Sequence, residues 1–286
     1  MLQAVQIGKF YDSFRLEDIS LEIPKGYVVG VLGENGAGKS VLLKIMLGYV
    51  RPDKGSVLMD GEDMWESGEV QGQIKNKLGF VLQEDFFSHY NTLLENGLRY
   101  GKYYRDFEKE EFLGYLAEFG LEKKRKYGRL SRGEKLKFQF AFALSHHPAL
   151  LLLDEPLGSF DIAFREKFLT YLRHFVEDGE HSAVMVSHLT QELEHLADYI
   201  AILHKGKLLE FSDIEELRER YRLVSGEDYK VNLLKAERVV YKEKGAYSTK
   251  ALVKHSPFRK YDKELLVETP CLEDIFYYRL KGLGRV

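Results

Sequence analysis

Short apolar runs separated by polar segments of helical character mark most of the chain. Five of these runs have the length and composition of strands: 28–33 (VVGVLG), 78–83 (LGFVLQ), 149–155 (ALLLLDE), 182–188 (SAVMVSH) and 198–211 (DYIAILHKGKLLEF). Continuous apolar strands between helices are typical of a mostly parallel sheet with both faces covered. Apolar and polar positions alternate within residues 1–30, which predicts an antiparallel β element beside that sheet. The predicted fold class is therefore α/β.

Two further regions depart from this alternation. Residues 91–145 carry helical patterning without a strand-like run, which predicts a helical subdomain between the second and third strands. The charge balance changes from 26 basic and 32 acidic residues in 1–212 to 16 and 13 in 213–286, so we expect two domains with these bounds. The second is predicted to be a small α+β accessory domain, with helices at 214–221 and 272–280 and strands at 229–234, 238–243, 246–255 and 265–270.

The overall composition limits the classes of function. The 286 residues carry 42 Lys and Arg against 45 Asp and Glu, a formal charge of −3, whereas a protein that coats nucleic acid non-specifically is normally basic. No apolar run reaches the ~20 residues that cross a bilayer, and the first residues lack the features of a secretory signal. The lone Cys271 cannot form an internal disulfide. We therefore expect a cytoplasmic protein with no nucleic-acid partner.

The segment 33–40 (GENGAGKS) has the form G-x-x-x-x-G-K-S and lies between an apolar strand and an apolar helix. Glycines let the backbone N–H groups surround an anion, and the helix directs its positive end at the same point. The lysine is expected to reach the β- and γ-phosphates and the serine to ligate Mg²⁺. The alternative, a helix-capping turn, has no need of both side chains. The predicted nucleotide-binding residues are Gly33, Glu34, Asn35, Gly36, Ala37, Gly38, Lys39, Ser40 and Val41.

A pair of acids ends the most apolar strand-like run. Asp154 and Glu155 follow four consecutive leucines. Successive side chains of a strand point to opposite faces, so the two carboxylates can serve different purposes. We expect Asp154 to hold Mg²⁺ through water and Glu155 to polarise the attacking water. With the phosphate loop, this pair predicts a Mg²⁺-dependent enzyme that hydrolyses a nucleoside triphosphate.

A five-residue segment about 20 residues before the acidic strand resembles the LSGGQ signature of the ATP-binding cassette (ABC) ATPases. Its residues are Leu130, Ser131, Arg132, Gly133 and Glu134. Other features of that family occur in order: an aromatic residue before the phosphate loop, a glutamine after a strand, a turn after the acidic pair and a histidine after a later strand. They are Tyr11, Gln83, 159–161 and His188. The resemblance covers roughly residues 1–212 and implies an ABC-type P-loop NTPase fold.

The resemblance also implies roles for these residues in a head-to-tail pair of cassettes. Each ATP is then clamped between the phosphate loop of one copy and the 130–134 signature of the other. Tyr11 would stack on adenine, Gln83 would touch Mg²⁺ and the lytic water, and His188 would hold the γ-phosphate. Asp161 would form contacts across the dimer. The ordinary alternatives are surface exposure for Tyr11, strand-end polarity for Gln83 and His188, and turn formation for Asp161.

The signature differs from the usual form at Arg132, where the family has glycine, and at Glu134, where it has glutamine. The spacing of Ser131 and Glu134 predicts a capping box at the start of the following helix, in which each residue satisfies a backbone N–H of the other. The Ser131 hydroxyl and the Gly133 N–H then still face a phosphate from the helix end. For Arg132 two interpretations remain open: a cation near the phosphate, or a solvated side chain.

The sequence of residues 130–137 (LSRGEKLK) is similar to that of cassettes from bacterial exporters whose membrane subunit is a separate polypeptide. The expected protein is an ATP-hydrolysing subunit, peripheral on the inner face of the cell membrane, that drives a transmembrane permease. The partner cassette is an identical or a different chain. Between Gln83 and the helical subdomain, four apolar or aromatic residues are candidates for a groove that receives the permease: Phe86, Phe87, Tyr90 and Leu94. The alternative is that they pack within the subdomain.

Two other functions stay open at this point. One is a soluble cassette that remodels a macromolecular assembly; it is disfavoured because the chain has neither a second cassette nor a long coiled coil. The other is a sensor that binds nucleotide without turnover, which the altered signature keeps open. The accessory domain is expected to supply dimer contacts, a regulatory surface or only stability. No transition-metal site is expected, since no Cys or carboxylate spacing complements the histidines.

Overall fold

The structure, a computed structural model, describes residues 1–256 and 261–284. Its strands are β1 (Leu2–Phe10), β2 (Arg15–Ile23), β3 (Val28–Gly33), β4 (Lys54–Met59), β5 (Glu62–Asp63), β6 (Leu78–Val81), β7 (Leu150–Asp154), β8 (Ser182–Ser187), β9 (Tyr199–His204), β10 (Lys207–Asp213), β11 (Tyr221–Gly226), β12 (Val239–Lys244), β13 (Thr249–Lys254) and β14 (Leu266–Glu268). Its helices are α1 (Lys39–Met46), α2 (Gly68–Asn76), α3 (Leu93–Gly101), α4 (Lys109–Glu118), α5 (Arg132–Leu144), α6 (Ile162–Val176), α7 (Thr190–Glu194), α8 (Ile214–Glu219), α9 (Asp228–Asn232) and α10 (Leu272–Leu283).

The central sheet has six strands in the order β10-β9-β3-β8-β7-β6. β3 pairs in parallel with β8 and β9, and β7 pairs in parallel with β6 and β8, so the predicted mostly parallel sheet is confirmed. Every residue of β3, β7 and β8 is buried. Parallel strands end at the same edge of a sheet, and this arrangement brings together Gly33, Asp154 and His188, which follows β8.

The predicted run 198–211 is two strands. β9 and β10 form an antiparallel hairpin that turns at Lys205 and Gly206, whose φ angles are 45° and 77°. Two consecutive residues with positive φ match the twist of a tight hairpin, and the Lys-Gly pair was the sequence signal for it. The prediction of a single continuous strand was therefore wrong at this position.

The antiparallel element predicted at the amino terminus is confirmed, but it is larger than expected. Its sheet has the order β2-β1-β4-β5, so β4 and β5 extend the predicted pair. β4 begins with Lys54 and Gly55, and within it only Val57 and Met59 are buried. An alternation of two apolar positions is too short to predict a strand from pattern alone.

Helices α3, α4 and α5 lie between β6 and β7 and surround an aromatic core. The ring centroids of Phe87 and Phe138 are 4.8 Å apart, edge to face, and the rings of Phe112 and Phe142 also pack there. Phe138 and Phe142 are four residues apart, which places them on one face of α5. This core fixes the start of α5, and with it the signature segment, against the strands that precede the helices.

Beyond the central sheet, a second antiparallel sheet has the order β12-β13-β11-β14. The strand predicted at 229–234 was wrong, because residues 228–232 form helix α9, in which only Val231 is buried. The region is attached to α7: the Leu272 N–H donates to the Glu194 carboxylate at 2.8 Å, and Arg218 pairs with the same side chain. Over 1–256 and 261–284, no helix has the length and apolar character that a membrane span requires.

Candidate functional site

The phosphate loop joins the carboxyl end of β3 to the start of α1. Gly38 precedes α1 with φ +106°, and a Cβ atom there would lie 2.7 Å from Cζ of Phe14. Only glycine combines this backbone conformation with that close approach. The loop is held from outside by the Gly206 N–H, which donates to the Ala37 carbonyl at 3.0 Å. The loop therefore has a fixed curvature with its backbone exposed to an anion.

Lys39 folds back over this loop. Its Nζ donates to the carbonyl oxygens of Gly33 at 2.8 Å and Glu34 at 3.2 Å, and lies 3.8 Å from Oε1 of Glu155. Burial lowers the pKa of Lys39, while Glu155 and Asp154 act in the opposite direction. Within the described part of the chain, its close partners are two carbonyls and a more distant carboxylate, so this ammonium is well placed to donate hydrogen bonds to phosphate oxygens instead.

Ser40 and Asp154 meet below the loop. The Ser40 hydroxyl donates to Oδ1 of Asp154 at 3.4 Å. Burial is the main cause that raises the pKa of Asp154. A hydroxyl and one carboxylate are hard oxygen ligands, the set that suits Mg²⁺ bound mainly by phosphates and water. Within the described residues no group of three or more His, Cys, Asp and Glu side chains has the geometry of a metal site. The donor set therefore fits Mg²⁺ brought in with a nucleotide.

Glu155 occupies a special backbone position. Its φ is +46°, and its N–H donates to the Val186 carbonyl of β8 at 3.0 Å. Left-handed backbone at a non-glycine residue costs about 1–3 kcal/mol and is concentrated at functional sites. The conformation directs the carboxylate toward the end of β8, where Oε1 lies 3.0 Å from Nδ1 of His188. Glu155, His188 and Lys39 thus form one cluster at the carboxyl edge of the sheet.

Gln83 connects this cluster to the signature segment. Its Nε2 donates to the carbonyls of Asp154 at 2.8 Å and Glu155 at 3.0 Å. Its Oε1 accepts from Nε of Arg132 at 2.7 Å and also from Nη2 of Arg132. Neither interpretation of Arg132 made from the sequence describes this arrangement, since in the single subunit the guanidinium is bound to Gln83. No sequence pattern indicates this contact, because the two residues are 49 positions apart.

The predicted capping box at the start of α5 is confirmed. Ser131 Oγ accepts from the Glu134 N–H at 3.2 Å, and Glu134 Oε2 accepts from the Ser131 N–H at 2.8 Å. Burial alone would raise the pKa of Glu134, but the Ser131 N–H, Arg125 and the Ser131 hydroxyl together lower it. The ion pair with Arg125 compensates the charge that replaces the family's neutral glutamine.

Close packing fixes the rest of the signature segment. A Cβ atom on Gly133 would lie 2.4 Å from the Ser159 carbonyl oxygen, so a glycine is needed where α5 meets the turn at 157–159. Leu130 is buried, whereas Ser131 and Arg132 are exposed. The exposed serine at the helix start is thus accessible to a ligand from outside the subunit.

The remaining predicted residues lie around this cluster. Tyr11 is 44% exposed, and Nζ of Lys9 lies 5.8 Å from its ring centroid. Asp161 caps α6 by accepting from the Phe164 N–H at 2.9 Å and pairs with Lys137 at 2.7 Å. Of the loop residues, Glu34 lies 3.2 Å from Nδ1 of His204, Asn35 is exposed and Val41 is half-buried.

The four aromatic and aliphatic residues after Gln83 do not share one surface. Phe87 is buried in the helical core and Leu94 is half-buried, whereas Tyr90 is 86% exposed. Phe86 lines an apolar cavity of about 160 Å³ together with Leu47, Tyr49, Lys75, Leu78, Phe80, Leu82 and Tyr104. Of the predicted set, Phe86 lines this cavity, and the other lining residues lie outside that set.

One positioning residue was missed in the sequence. Gln139 is buried on α5, and its Oε1 accepts from the Leu82 N–H at 2.7 Å while its Nε2 donates to the Leu82 carbonyl at 3.0 Å. It thereby fixes the backbone directly before Gln83. The available signal was a single glutamine within the otherwise apolar run 138–144.

Comparison with known proteins agrees with this geometry. A family model described as ABC transporter matches residues 16–158. The ABC transporter ATP-binding protein YtrB of Bacillus subtilis is 27% identical over 296 residues, covering all of both chains. The spermidine/putrescine import ATP-binding protein PotA of Protochlamydia amoebophila is 34% identical over 74% of this chain, which spans only 57% of that relative. The bacitracin transport ATP-binding protein BcrA of Bacillus licheniformis is 29% identical over 78% of this chain and 72% of its own length.

Solved structures show the same fold. A dimeric ATP-binding cassette in a post-hydrolysis state, bound to ADP and Pi, superimposes with a TM-score of 0.67 at 26% identity over 74% of this chain and 98% of that one. A bacterial exporter of the Atm1 family with ATP bound has a TM-score of 0.66 at 23% identity, covering 77% of this chain and 39% of its own, which shows the fold alone. The phosphate loop, the acidic strand end and the signature all lie within the family match. The chain belongs to the ABC transporter family of ATP-binding cassettes, a family of ATPases.

Proposed function

We propose that this chain binds Mg²⁺-ATP and hydrolyses it as the ATP-binding subunit of a transporter. The observation that carries the proposal is the convergence of Lys39, Asp154, Glu155 and His188 at the carboxyl edge of one sheet. The Glu155 carboxylate is separated from the His188 ring by 3.0 Å and from the Lys39 ammonium by 3.8 Å. These distances support the roles of a general base for Glu155, a γ-phosphate ligand for His188 and a phosphate-binding cation for Lys39.

In the proposed mechanism each residue has a distinct task. Lys39 exchanges its two carbonyl partners for the β- and γ-phosphate oxygens. Glu155 accepts a hydrogen bond from the attacking water and orients it, while His188 holds both Glu155 and the γ-phosphate. Ser40, Gln83 and, through water, Asp154 would hold Mg²⁺. When bound, the ion would neutralise charge on the triphosphate. Tyr11 offers an exposed ring to the adenine.

The nucleotide site is proposed to be shared between two copies. Ser131 is exposed at the start of α5, where the positive end of the helix dipole favours an anion. The related cassette bound to ADP and Pi is dimeric. The signature of one copy would thus close the site on another, with Asp161 at the contact. The second copy is an identical chain or a different cassette.

The transport partner is proposed to be a separate transmembrane subunit, with this chain held at the cytoplasmic face of the membrane. The apolar cavity lined by Phe86 and Tyr49 supports this, because a cytoplasmic helix of the membrane subunit would bury its apolar side there. For the direction of transport, we propose export, because the sequence of residues 130–137 is similar to that of bacterial exporter cassettes. Import is the second candidate, since relatives named for import match over similar lengths.

The decisive assay is Mg²⁺-dependent phosphate release by the purified protein, compared with a Glu155→Gln control. The proposal requires release above the control at some protein concentration. Nucleotide binding with no such release would instead identify a binding-only sensor. Co-purification from detergent extracts with an integral membrane protein would support the transport role, whereas recovery with a soluble assembly would support a remodelling role.

A further inference from the structure

Arg132 and Gln83 form a contact that the family's usual glycine cannot make. Two donors of the guanidinium, Nε and Nη2, converge on one oxygen of the Gln83 amide. The same amide donates through Nε2 to the carbonyls of Asp154 and Glu155. The chain of contacts therefore runs from the signature, through Gln83, to the backbone of the acidic pair.

The orientation of the Gln83 amide in this contact is fixed by chemistry. Arginine can only donate hydrogen bonds and backbone carbonyls can only accept them, so Oε1 must face Arg132 and Nε2 must face the strand end. Oε1 is the only atom of the side chain that can ligate Mg²⁺ or accept from water. Because two donors of Arg132 occupy it, Gln83 has no acceptor available for either while the contact lasts.

The position of Arg132 in α5 argues against a purely structural purpose. It is the first residue of the helix, where the positive end of the helix dipole disfavours a cation. The capping box at this helix start is formed by Ser131 and Glu134 and does not use the Arg132 side chain. The side chain is therefore held by its hydrogen bonds to Gln83 in a position that does not favour the helix.

We propose that Arg132 is a positioning residue that restrains Gln83 in the free subunit. Closure on a second copy would bring phosphates bound by that copy to the start of α5, where they compete with Gln83 for the guanidinium. Release of Arg132 would then free Oε1 for the Mg²⁺ and water of its own subunit's nucleotide. The state of one nucleotide site is thereby transmitted to the other. This inference rests on the proposed function and deepens it.

A double-mutant cycle on turnover tests the restraint. Arg132→Ala removes both the restraint on Gln83 and the later contact of the guanidinium with phosphate, so the restraint is measured as a coupling. The effect of Arg132→Ala on phosphate release is expected to be about 3- to 10-fold more favourable when Gln83 is present than in a Gln83→Ala background, the scale of a partly exposed charge-assisted hydrogen bond. In the Gln83→Ala background only the contact with phosphate is left to lose, so Arg132→Ala is expected there to lower phosphate release or to leave it unchanged. Arg129→Ala, which removes a nearby exposed arginine, is the matched control and should leave turnover unchanged.

A second measurement needs no turnover. In nucleotide-free protein labelled with ¹⁵N at its seven glutamines, Arg132→Ala should shift the side-chain amide resonances of Gln83, and Arg129→Ala should not. Unchanged Gln83 resonances, or an effect of Arg132→Ala on turnover that is the same in the wild-type and Gln83→Ala backgrounds, would each overturn the restraint. Absence of turnover from wild type and Arg132→Ala alike would overturn the proposed function, so the two failures are distinguishable.

Discussion

The two halves of the proposed nucleotide site differ in how completely one subunit builds them. At the phosphate-loop half, Lys39, Asp154 and Glu155 are held by backbone and side chains of the same strand ends. At the signature half, Ser131 is exposed and its neighbour Arg132 is turned back onto Gln83. The phosphate-loop half is formed within one subunit. At the signature half, Ser131 is open to solvent, and Gln83 of the same subunit occupies the guanidinium of Arg132.

This difference indicates where a substitution can alter regulation without disturbing nucleotide binding or the fold. Residues of the phosphate loop are constrained by backbone geometry, so any change there alters binding directly. The start of α5 keeps its backbone fixed through the capping box and Gly133, and varies only the exposed side chain at 132. A substitution at that position changes which acceptor the signature meets without altering the helix that carries it.

Removing the phosphate-binding cation should have the largest effect. Lys39→Ala is expected to weaken ATP binding by about 100-fold or more, because it removes charge-assisted hydrogen bonds from a buried position. Titration with a fluorescent ATP analogue measures this. Lys25→Ala, which breaks an exposed pair with Glu180 near the other end of β3, is the control and should bind normally. Equal binding by Lys39→Ala and wild type would contradict the assigned role.

Blocking the signature should separate binding from closure. Ser131→Arg is expected to bind Mg²⁺-ATP as a monomer with wild-type affinity but to fail to dimerise, because a bulky cation replaces the small N-cap residue. Loss of the cap costs only about 1 kcal/mol, so the fold should persist. Ser67→Arg removes a similar cap from α2, where Ser67 accepts from the Val70 N–H, and should leave dimerisation intact. Dimerisation by Ser131→Arg would remove the signature from the interface.

Two glycine substitutions should sharpen the contrast further. Gly38→Ala and Gly133→Ala are each expected to destabilise the fold by about 1–3 kcal/mol, the first through positive φ and the second through a clash with the Ser159 carbonyl. Only Gly38→Ala should also abolish ATP binding by the monomer. Gly114→Ala in α4, where a Cβ meets nothing within 4 Å, should slightly stabilise the protein. Urea unfolding with binding titrations reads out all three.

The smallest effect is expected at Glu134. Glu134→Gln keeps the capping box but removes the ion pair with Arg125, which should cost less than about 1 kcal/mol at neutral pH. The pKa of Glu134 is lowered on folding, so its contribution is present above the ordinary value of 4.5 and is lost as pH falls through the folded pKa. The difference from wild type should therefore shrink below pH 4.5 in urea unfolding. Glu166→Gln, at an exposed position of α6, is the control and should differ little from wild type at neutral pH, and a pH-independent difference for Glu134→Gln would contradict the assignment.

The fold was predictable where the signal lies in contiguous residues. The apolar runs of β3, β7 and β8 and the loop at 33–40 specify strand, turn and helix locally, so the central sheet and its edge followed from pattern. Helix α9 and strands β4 and β5 were missed because their apolar positions are too few to show a period.

For the candidate site, the sequence predicted which residues take part better than it predicted which residues contact one another. The capping box at Ser131 and Glu134 is a local motif and could be derived from spacing. The contact between Arg132 and Gln83 depends on how the helical segment folds back onto the sheet. No local rule of propensity or spacing specifies such a tertiary pairing.

Self-association of Glu155→Gln protein, measured by light scattering with saturating Mg²⁺-ATP, tests the shared site most directly. This variant should bind nucleotide without turning it over, so closed assemblies accumulate. The predicted result is a species of twice the monomer mass. It should disappear when Ser131→Arg is added to the same chain. Protein that stays monomeric with nucleotide fully bound would contradict completion of the site by a second copy.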